Sequence, residues 1–232
     1  MPKISICIPT YEMKGFGTEY LNFSLQKIAA QTFKDFDVVI SDHSENTDIK
    51  NLCETWKSKL DIKYYHNKIG KGISSANINN AIKHAEGEAI KILFQDDFLF
   101  DSLSLEIQYV HFFSNYNHWL VTACAHTSDG INIRDPFYPK YHDAIQYGNN
   151  TISSPSVLMI KNEDVLEFDE NLFWLMDVEY YKRLYDNFGL PSICNHITIV
   201  NRNHQNQVSN TIATDKVKEK EFNYIVEKYG KI

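Results

Sequence analysis

The stretch Gly87, Glu88, Ala89, Ile90, Lys91, Ile92, Leu93, Phe94, Gln95, Asp96, Asp97, Phe98 decides how this chain is read. Ala89 to Phe94 is an apolar run of the length expected for a strand buried on both faces. It ends abruptly in Gln95-Asp96-Asp97. Two adjacent carboxylates at the tip of a buried strand are costly beside an apolar core. A divalent cation removes that cost, because hard cations take carboxylate oxygens. In open α/β sheets the ligand crevice lies outside the carboxyl ends of the strands. The acid pair therefore sits where a nucleotide and its metal are expected. Taken alone, the pair also fits a turn or the cap of the next helix.

Working back toward the start, the same strand-then-helix alternation repeats. Ile4 to Ile8 is a short apolar strand closed by Pro9. After a loop holding Gly15 and Gly17, Thr18 is placed to cap a helix whose apolar face is Leu21, Leu25, Ile28 and Ala29. Asp37 to Ser41 is a second strand ending in Asp42. The polar turn Ser44 to Asp48 leads into a helix using Ile49, Leu52, Cys53 and Trp56. Ile62 to Tyr65 is a third strand, Gly70-Lys71-Gly72 a loop, and Ser74 or Ser75 opens a helix through Ala85. Four strands alternating with three helices predict an α/β fold with a mostly parallel central sheet.

Downstream the pattern changes. Asp101 and Ser104 can cap a helix carrying Leu103, Ile107 and Val110. Trp119 to Cys124 reads as a strand, and residues 127–155 as one long irregular loop of the kind that forms binding lids. Val157 to Ile160 is a strand, Asn162 starts a short helical turn, and Phe173 to Asn187 is helical, stopped by Gly189 and Pro191. Ile193 to Val200 is strand-like and Asn201 to Asn210 a polar loop. Thr214 caps a closing helix that carries Val217, Phe222, Ile225, Val226 and Tyr229.

The chain has 232 residues, which suits one large domain or two lobes on a shared core. A net charge of −7 without a basic stripe argues against a nucleic-acid partner. Cys7, Cys53, Cys124 and Cys194 have no metal or redox spacing and read as reduced core residues of a cytosolic protein. No leader or membrane-spanning run is expected, so contact with a membrane would be peripheral. The first strand is not followed by the glycine fingerprint of a hydride-transferring dinucleotide enzyme.

Several stretches together resemble the family 2 glycosyltransferases, inverting nucleotide-sugar enzymes of the GT-A fold. Ile6-Cys7-Ile8-Pro9-Thr10-Tyr11 looks like the family's opening strand. Val38-Val39-Ile40-Ser41-Asp42-His43-Ser44 looks like its second, whose acid contacts the base. Asn79, Ala85 and Gly87-Glu88 fall where the family has its Arg-Asn helix and Gly-Glu turn. Gln95-Asp96-Asp97 falls on the metal-binding acid motif, and Met176-Asp177-Val178-Glu179 on the catalytic-base motif. His204 lies in a loop where some members place a further metal ligand. The chain departs from the pattern at Glu12, Ile78, Phe94, Gln95 and Met176, departures that bear on the donor more than on the fold.

The resemblance implies a single GT-A domain, residues 1–100 forming the nucleotide-sugar half and 101–232 the acceptor half. It implies transfer from a nucleoside diphosphate sugar, uridine-linked, to a glycan or glycolipid acceptor in bacterial surface polysaccharide synthesis, at the inner face of the membrane, with Mn2+ or Mg2+. Asp97 becomes the first metal ligand and His204 a second, since imidazole suits manganese better than calcium. Asp96 is assigned to ribose hydroxyls or to the metal through water. Pro9, Thr10, Tyr11, Glu12 and Asn79 line the donor site, and Asp42 accepts from a pyrimidine N–H. Lys71 reaches a phosphate as a point charge. Inversion needs one general base on the face opposite the leaving group, and Asp177 takes that role with Glu179 as its substitute. Two other readings stay open: a catalytically silent nucleotide-sugar or glycan-binding module, and a nucleotidyltransferase, for which Thr10 to Gly15 is a poor triphosphate loop.

Overall fold

The computed structural model describes residues 1–115, 117–205, 207 and 213–231. The outer part of the polar loop read from Asn201 to Asn210 lies outside the described residues. The strands are β1 (Ile4–Thr10), β2 (Phe36–Asp42), β3 (Ile62–His66), β4 (Ala89–Ile92), β5 (Phe98–Leu99), β6 (Trp119–Thr127), β7 (Arg134–Phe137), β8 (Leu158–Lys161) and β9 (Ser192–Arg202). The helices are α1 (Gly17–Ala29), α2 (Asp48–Trp56), α3 (Ser74–Lys83), α4 (Ser104–Ser114), α5 (Met176–Phe188) and α6 (Asp215–Tyr229).

All nine strands join one sheet, ordered β3-β2-β1-β4-β8-β6-β9-β5, with β7 paired to β6. The N-terminal part is parallel throughout: β1 runs beside β2 from Ile4↔Phe36 to Thr10↔Asp42, and beside β4 from Ile4↔Ala89 to Cys7↔Ile92. Strand β3 extends the same array. With strands on both sides and α3 packed against it, β1 is buried along its whole length, Ser5 and Thr10 included. Strand β8 then enters antiparallel to β4, with Ile90 opposite Ile160. Beyond it the long parallel pair β6 and β9 carries two register shifts, and β5 closes the edge antiparallel to β9. The sheet is thus parallel where strands alternate with helices and mixed where they do not.

Strand β1 does not stop at Pro9 but continues to Thr10. The Leu93 amide donates to the Cys7 carbonyl, so residue 7 faces β4, and residue 9 shares that side. Strand β4 leaves the ladder at Ile92, so the amide that proline lacks has no partner to lose there.

Four local expectations are corrected. Thr18 is not the cap of α1: the Glu12 carbonyl accepts from Gly17 N, and the helix begins one residue earlier. Helix α4 buries Leu105, Gln108 and Phe112 and leaves Leu103 and Val110 exposed. Asn162 starts no helical turn; its side chain donates to the carbonyls of Ala85 and Gly87, tying the end of β8 to the turn before β4. Helix α5 begins at Met176, after an irregular approach through Phe173. The segment 127–155 also contains β7 and a short 3-10 turn at Ile145–Tyr147. The four cysteines are buried and unpaired.

Candidate active site

The site grows from the tip of β4. Lys91, within the buried run, is fully enclosed, and its ammonium donates to the carbonyls of Ser156 and Leu158. Burial pulls it down to about 7. The ammonium anchors the Ser154–Ser156 segment beside the acid pair, and Ser156 Oγ accepts from Phe94 N. Gln95, 2% exposed, clamps the loop that follows β1. Its Oε1 accepts from Tyr11 N at 2.9 Å while Nε2 donates to the carbonyls of Tyr11 at 3.0 Å and Gly17 at 2.7 Å. A Cβ at Gly17 would stand 2.2 Å from the Tyr11 carbonyl oxygen, so only glycine fits that approach.

The two acids after Gln95 face different partners. Asp96 Oδ2 lies 2.8 Å from His204 Nε2, and the His204 ring packs on Tyr20 at 5.1 Å between centroids. Asp97 is nearly buried, with Oδ1 accepting from Arg202 N at 3.0 Å and Oδ2 from Ser154 Oγ at 3.2 Å. Desolvation, reinforced by the adjacent Asp96 charge, raises the Asp97 carboxyl well above the usual range. Arg202 holds both: its Nε donates to the Asp96 carbonyl, and its guanidinium lies over the rings of Tyr20, Phe23 and Phe98 at 4.8 to 5.5 Å.

Asp177 is the second residue of α5, half-buried. Its Oδ1 accepts from Val178 N and its Oδ2 from Asn150 Nδ2, both at 2.8 Å. Burial pushes this carboxyl up to about 7 against the pull of those donors. Asp177, Asn150, Asp96, Asp97, Ser154 and Tyr11 line one cavity of about 340 Å³. Phe94, Phe173, Trp174 and Met176 supply apolar wall. Its lining combines carboxylates with apolar and aromatic side chains, a chemistry suited to a ligand with a charged part and a ring.

The structure brings Tyr11, Asp96, Asp97 and Asp177 together and puts His204 behind Asp96. Pro9, Thr10, Glu12, Asp42, Lys71 and Asn79 are not in the cavity wall. Asp42 is fully buried and saturated: Oδ1 accepts from Thr10 Oγ1, Ser44 N and Ser44 Oγ, and Oδ2 from Tyr64 OH at 2.7 Å. Asn79 spends its amide on the backbone of Phe168, donating to the carbonyl and accepting from the amide. Glu12 accepts from the Glu45 and Asn46 amides, and Lys71 pairs with Glu45 on the surface. Glu179 points away from the cavity, fully buried and held by Arg183, Lys228 and Tyr229 OH. It is not in the cavity wall that holds Asp177.

Sequence reading missed Arg202, Asn150, Ser154 and Lys91. The first three act through contacts made across dozens of residues, and nothing local marks them. Lys91 carried a signal: a lysine inside a buried strand demands acceptors.

Among the described residues, no three His, Cys, Asp or Glu side chains converge as a ready metal cage. The donor chemistry nevertheless fits a hard divalent cation completed by its substrate. The Asp96 carboxylate and His204 imidazole already face each other, and a desolvated Asp97 carboxylate adjoins them. Magnesium-type sites commonly take one or two carboxylates plus substrate phosphates.

The family model described as "Glycosyl transferase family 2" matches residues 5–205. A GalNAc(5)-diNAcBac-PP-undecaprenol beta-1,3-glucosyltransferase of Campylobacter jejuni is 32% identical over 122 residues, which is 50% of this chain and 38% of the relative. A poly(ribitol-phosphate) beta-N-acetylglucosaminyltransferase, TarS, of Staphylococcus aureus is 31% identical over 43% of this chain and 17% of its own length. This chain thus spans well under half of either relative. The crystal structure of S. aureus TarS 1-349 with UDP-GlcNAc superposes with a TM-score of 0.76 at 17% identity, covering 97% of this chain and 66% of that one. Mannosyltransferase PcManGT from Pyrobaculum calidifontis, in complex with GDP-Man and Mn2+, superposes with a TM-score of 0.61 at 14% identity, covering 86% and 56%.

Proposed function

This chain belongs to glycosyltransferase family 2 and is a transferase of the GT-A fold, and from that premise we propose that it moves a sugar from a uridine diphosphate sugar to a glycan or glycolipid acceptor with inversion at the anomeric carbon. The observation that carries the reading is the single cavity lined by Asp96 and Asp97 together with Asp177, whose carboxyl burial pushes up to about 7. A base is most effective when its pKa lies near the working pH.

In this reading residues 1–100 provide most of the donor side and 101–232 the acceptor side. Asp96, His204 and Asp97 would hold Mn2+ or Mg2+, with Asp96 and His204 the facing pair. When bound, that cation neutralises charge developing on the departing diphosphate. Asp177 takes the proton from the acceptor hydroxyl, Asn150 orients its carboxylate, and the Phe173–Met176 wall excludes water. Tyr11, presented by the Gln95 clamp, offers a ring for the nucleotide. Asp42 acts indirectly, fixing Thr10, Ser44 and Tyr64 at the strand tips beside the base. Lys71, Glu12 and Asn79 brace the surrounding loops.

The relatives' names, one with an undecaprenol-linked glycan and one with poly(ribitol-phosphate), support an acceptor of lipid-linked or polymer type. No helix among the described residues is long and apolar enough to cross a membrane. The test is a thermal-shift screen of UDP-linked and other nucleotide sugars with and without Mn2+, followed by transfer assays with the stabilising donor. Mn2+-dependent stabilisation and a product of opposite anomeric configuration are expected. Stabilisation by no nucleotide sugar, or a product with retained configuration, would overturn the reading.

A further inference from the structure

Helix α5 opens without a side-chain cap of its own: Leu175 stands at the cap position and its side chain offers no acceptor. The missing acceptor comes from the far end of the chain. Glu221, on α6 and 2% exposed, turns its carboxylate onto three consecutive amides of the approach to α5. Its Oε1 accepts from Phe173 N at 2.9 Å, and its Oε2 from Trp174 N at 3.0 Å and Leu175 N at 2.9 Å. Those three residues form the apolar cavity wall, and the next but one is Asp177. No lysine, arginine or histidine pairs with Glu221 among the described residues. Its charge is met by the amides alone, the arrangement helix N-termini favour.

We propose that Glu221 is a positioning residue for sugar transfer, holding the Phe173–Leu175 wall and presenting Asp177 to the acceptor hydroxyl. This rests on the reading of Asp177 as the base. The rest of α6 is fastened independently of Glu221. Lys228 reaches Asp169 at 2.7 Å and Glu179 at 2.9 Å, while Tyr229 OH donates to Glu179 at 2.8 Å. Losing Glu221 therefore frees the wall without releasing the helix.

An electrostatic consequence follows. Besides Glu221, Asp177 faces its own helix start, Asn150 from the preceding loop, and Tyr181 one turn along α5, whose hydroxyl donates to the Ser153 carbonyl. Asp96, Asp97 and His126 line the same cavity. Glu179 on α5 is already neutralised by Arg183 and Lys228. Glu221, which has amide donors but no cation partner among the described residues, thus places a negative charge on the wall side, and it adds to burial in disfavouring the ionised form of Asp177.

The experiment needs no substrate for its first readout. In protein labelled with 13C at aspartate carboxyl carbons, the Asp177 resonance is assigned by its loss in Asp177→Asn and titrated in parent, Glu221→Gln and Glu221→Asp. Glu221→Gln should move the Asp177 midpoint to lower pH by roughly 0.3–1 unit, the size of one screened charge interaction. Glu221→Asp, which keeps the charge on a shorter stem, should leave it near the parental value. With a donor and acceptor in hand, both variants should lower kcat more than they raise the donor KM. An unmoved midpoint in Glu221→Gln, or unchanged kcat in both variants, overturns the proposal and leaves Glu221 a plain helix cap. If Glu221→Gln does not fold, a shifted midpoint in Glu221→Asp overturns it and an unshifted one with lowered kcat supports it. The base reading fails separately, if Asp177→Asn transfers at the parental rate.

Discussion

At the scale of single residues, the site separates by how it is encoded. Asp96 and Asp97 were legible because neighbouring carboxylates at a strand end are conspicuous in one dimension. Asn150, Ser154 and Arg202 were not, because each acts across a contact that only folding creates. Asp177 was reached only through family likeness; its burial and its bond to Asn150 are what make it chemically plausible as a base. Asp177→Asn should keep donor binding and lower transfer by about 10²–10⁴-fold, the usual contribution of a positioned base. The parent's kcat should rise with pH through about 7, where the carboxyl loses its proton, and the variant's residual rate should lack that limb. Stability gives a second check. The unfolded carboxyl titrates near 3.9, so between about pH 4 and 7 the folded form holds more protons and stability from this group falls as pH rises. The difference in Tm, variant minus parent, should therefore move in the variant's favour between pH 5 and pH 8. At the acid pair, Asp96→Asn should abolish Mn2+-dependent stabilisation by UDP, and His204→Ala should weaken it, since water can fill one vacated coordination position. Equal stabilisation in Asp96→Asn and parent would remove Asp96 from the metal site.

Among the elements, strands β1 to β4 and their helices were readable because short, largely apolar strands alternate with amphipathic helices along this part of the chain. Helix α4 was misread for a specific reason. Leu103, Leu105, Ile107, Val110, Phe112 and Phe113 spread apolar residues around its circumference, so spacing alone cannot choose a face. The choice was made by Gln108, whose amide donates to Thr198 Oγ1 on β9 at 2.8 Å and turns Leu105 and Phe112 inward with it. The clamp between β4 and the loop after β1 is likewise invisible in sequence, where Gln95 looks only like a departure from the family pattern. Its mechanical role can be tested. Gly17→Ala should destabilise the fold by about 1–3 kcal/mol, because the added methyl group meets the Tyr11 carbonyl. Gln95→Ala should cost about 1–3 kcal/mol by stranding buried backbone groups. Both should weaken donor binding while the acid pair keeps its place. Urea melts and donor titrations of the two variants check this, and parental stability in Gly17→Ala would show that the loop does not need its close approach.

For the molecule as a whole, ligand binding should register as stability. A UDP sugar at 100 times its Kd, with Mn2+, should add roughly 2.7 kcal/mol, or about 5–10 °C in Tm for a domain of this size. A shift that chelation of the metal leaves intact would separate donor binding from the cation. The sheet's overall order was legible only as far as β4. Past it, antiparallel and parallel neighbours mix, and strand partners are chosen by contacts distant along the chain. The family model and the superposition on TarS cover that second half as well, which places the mixed sheet within the same fold.

The position of β4 has one further consequence. It pairs with β1 on one side and β8 on the other, while β5, only a few residues on, seals the far edge against β9. A cut at residue 100 would therefore split a sheet rather than separate two bodies. Fragments 1–100 and 101–232, produced alone, would each expose bare strand edges and aggregate. Produced together they should find one another and reassemble, giving a two-piece protein whose assembly could be driven, or blocked, at a single shared seam.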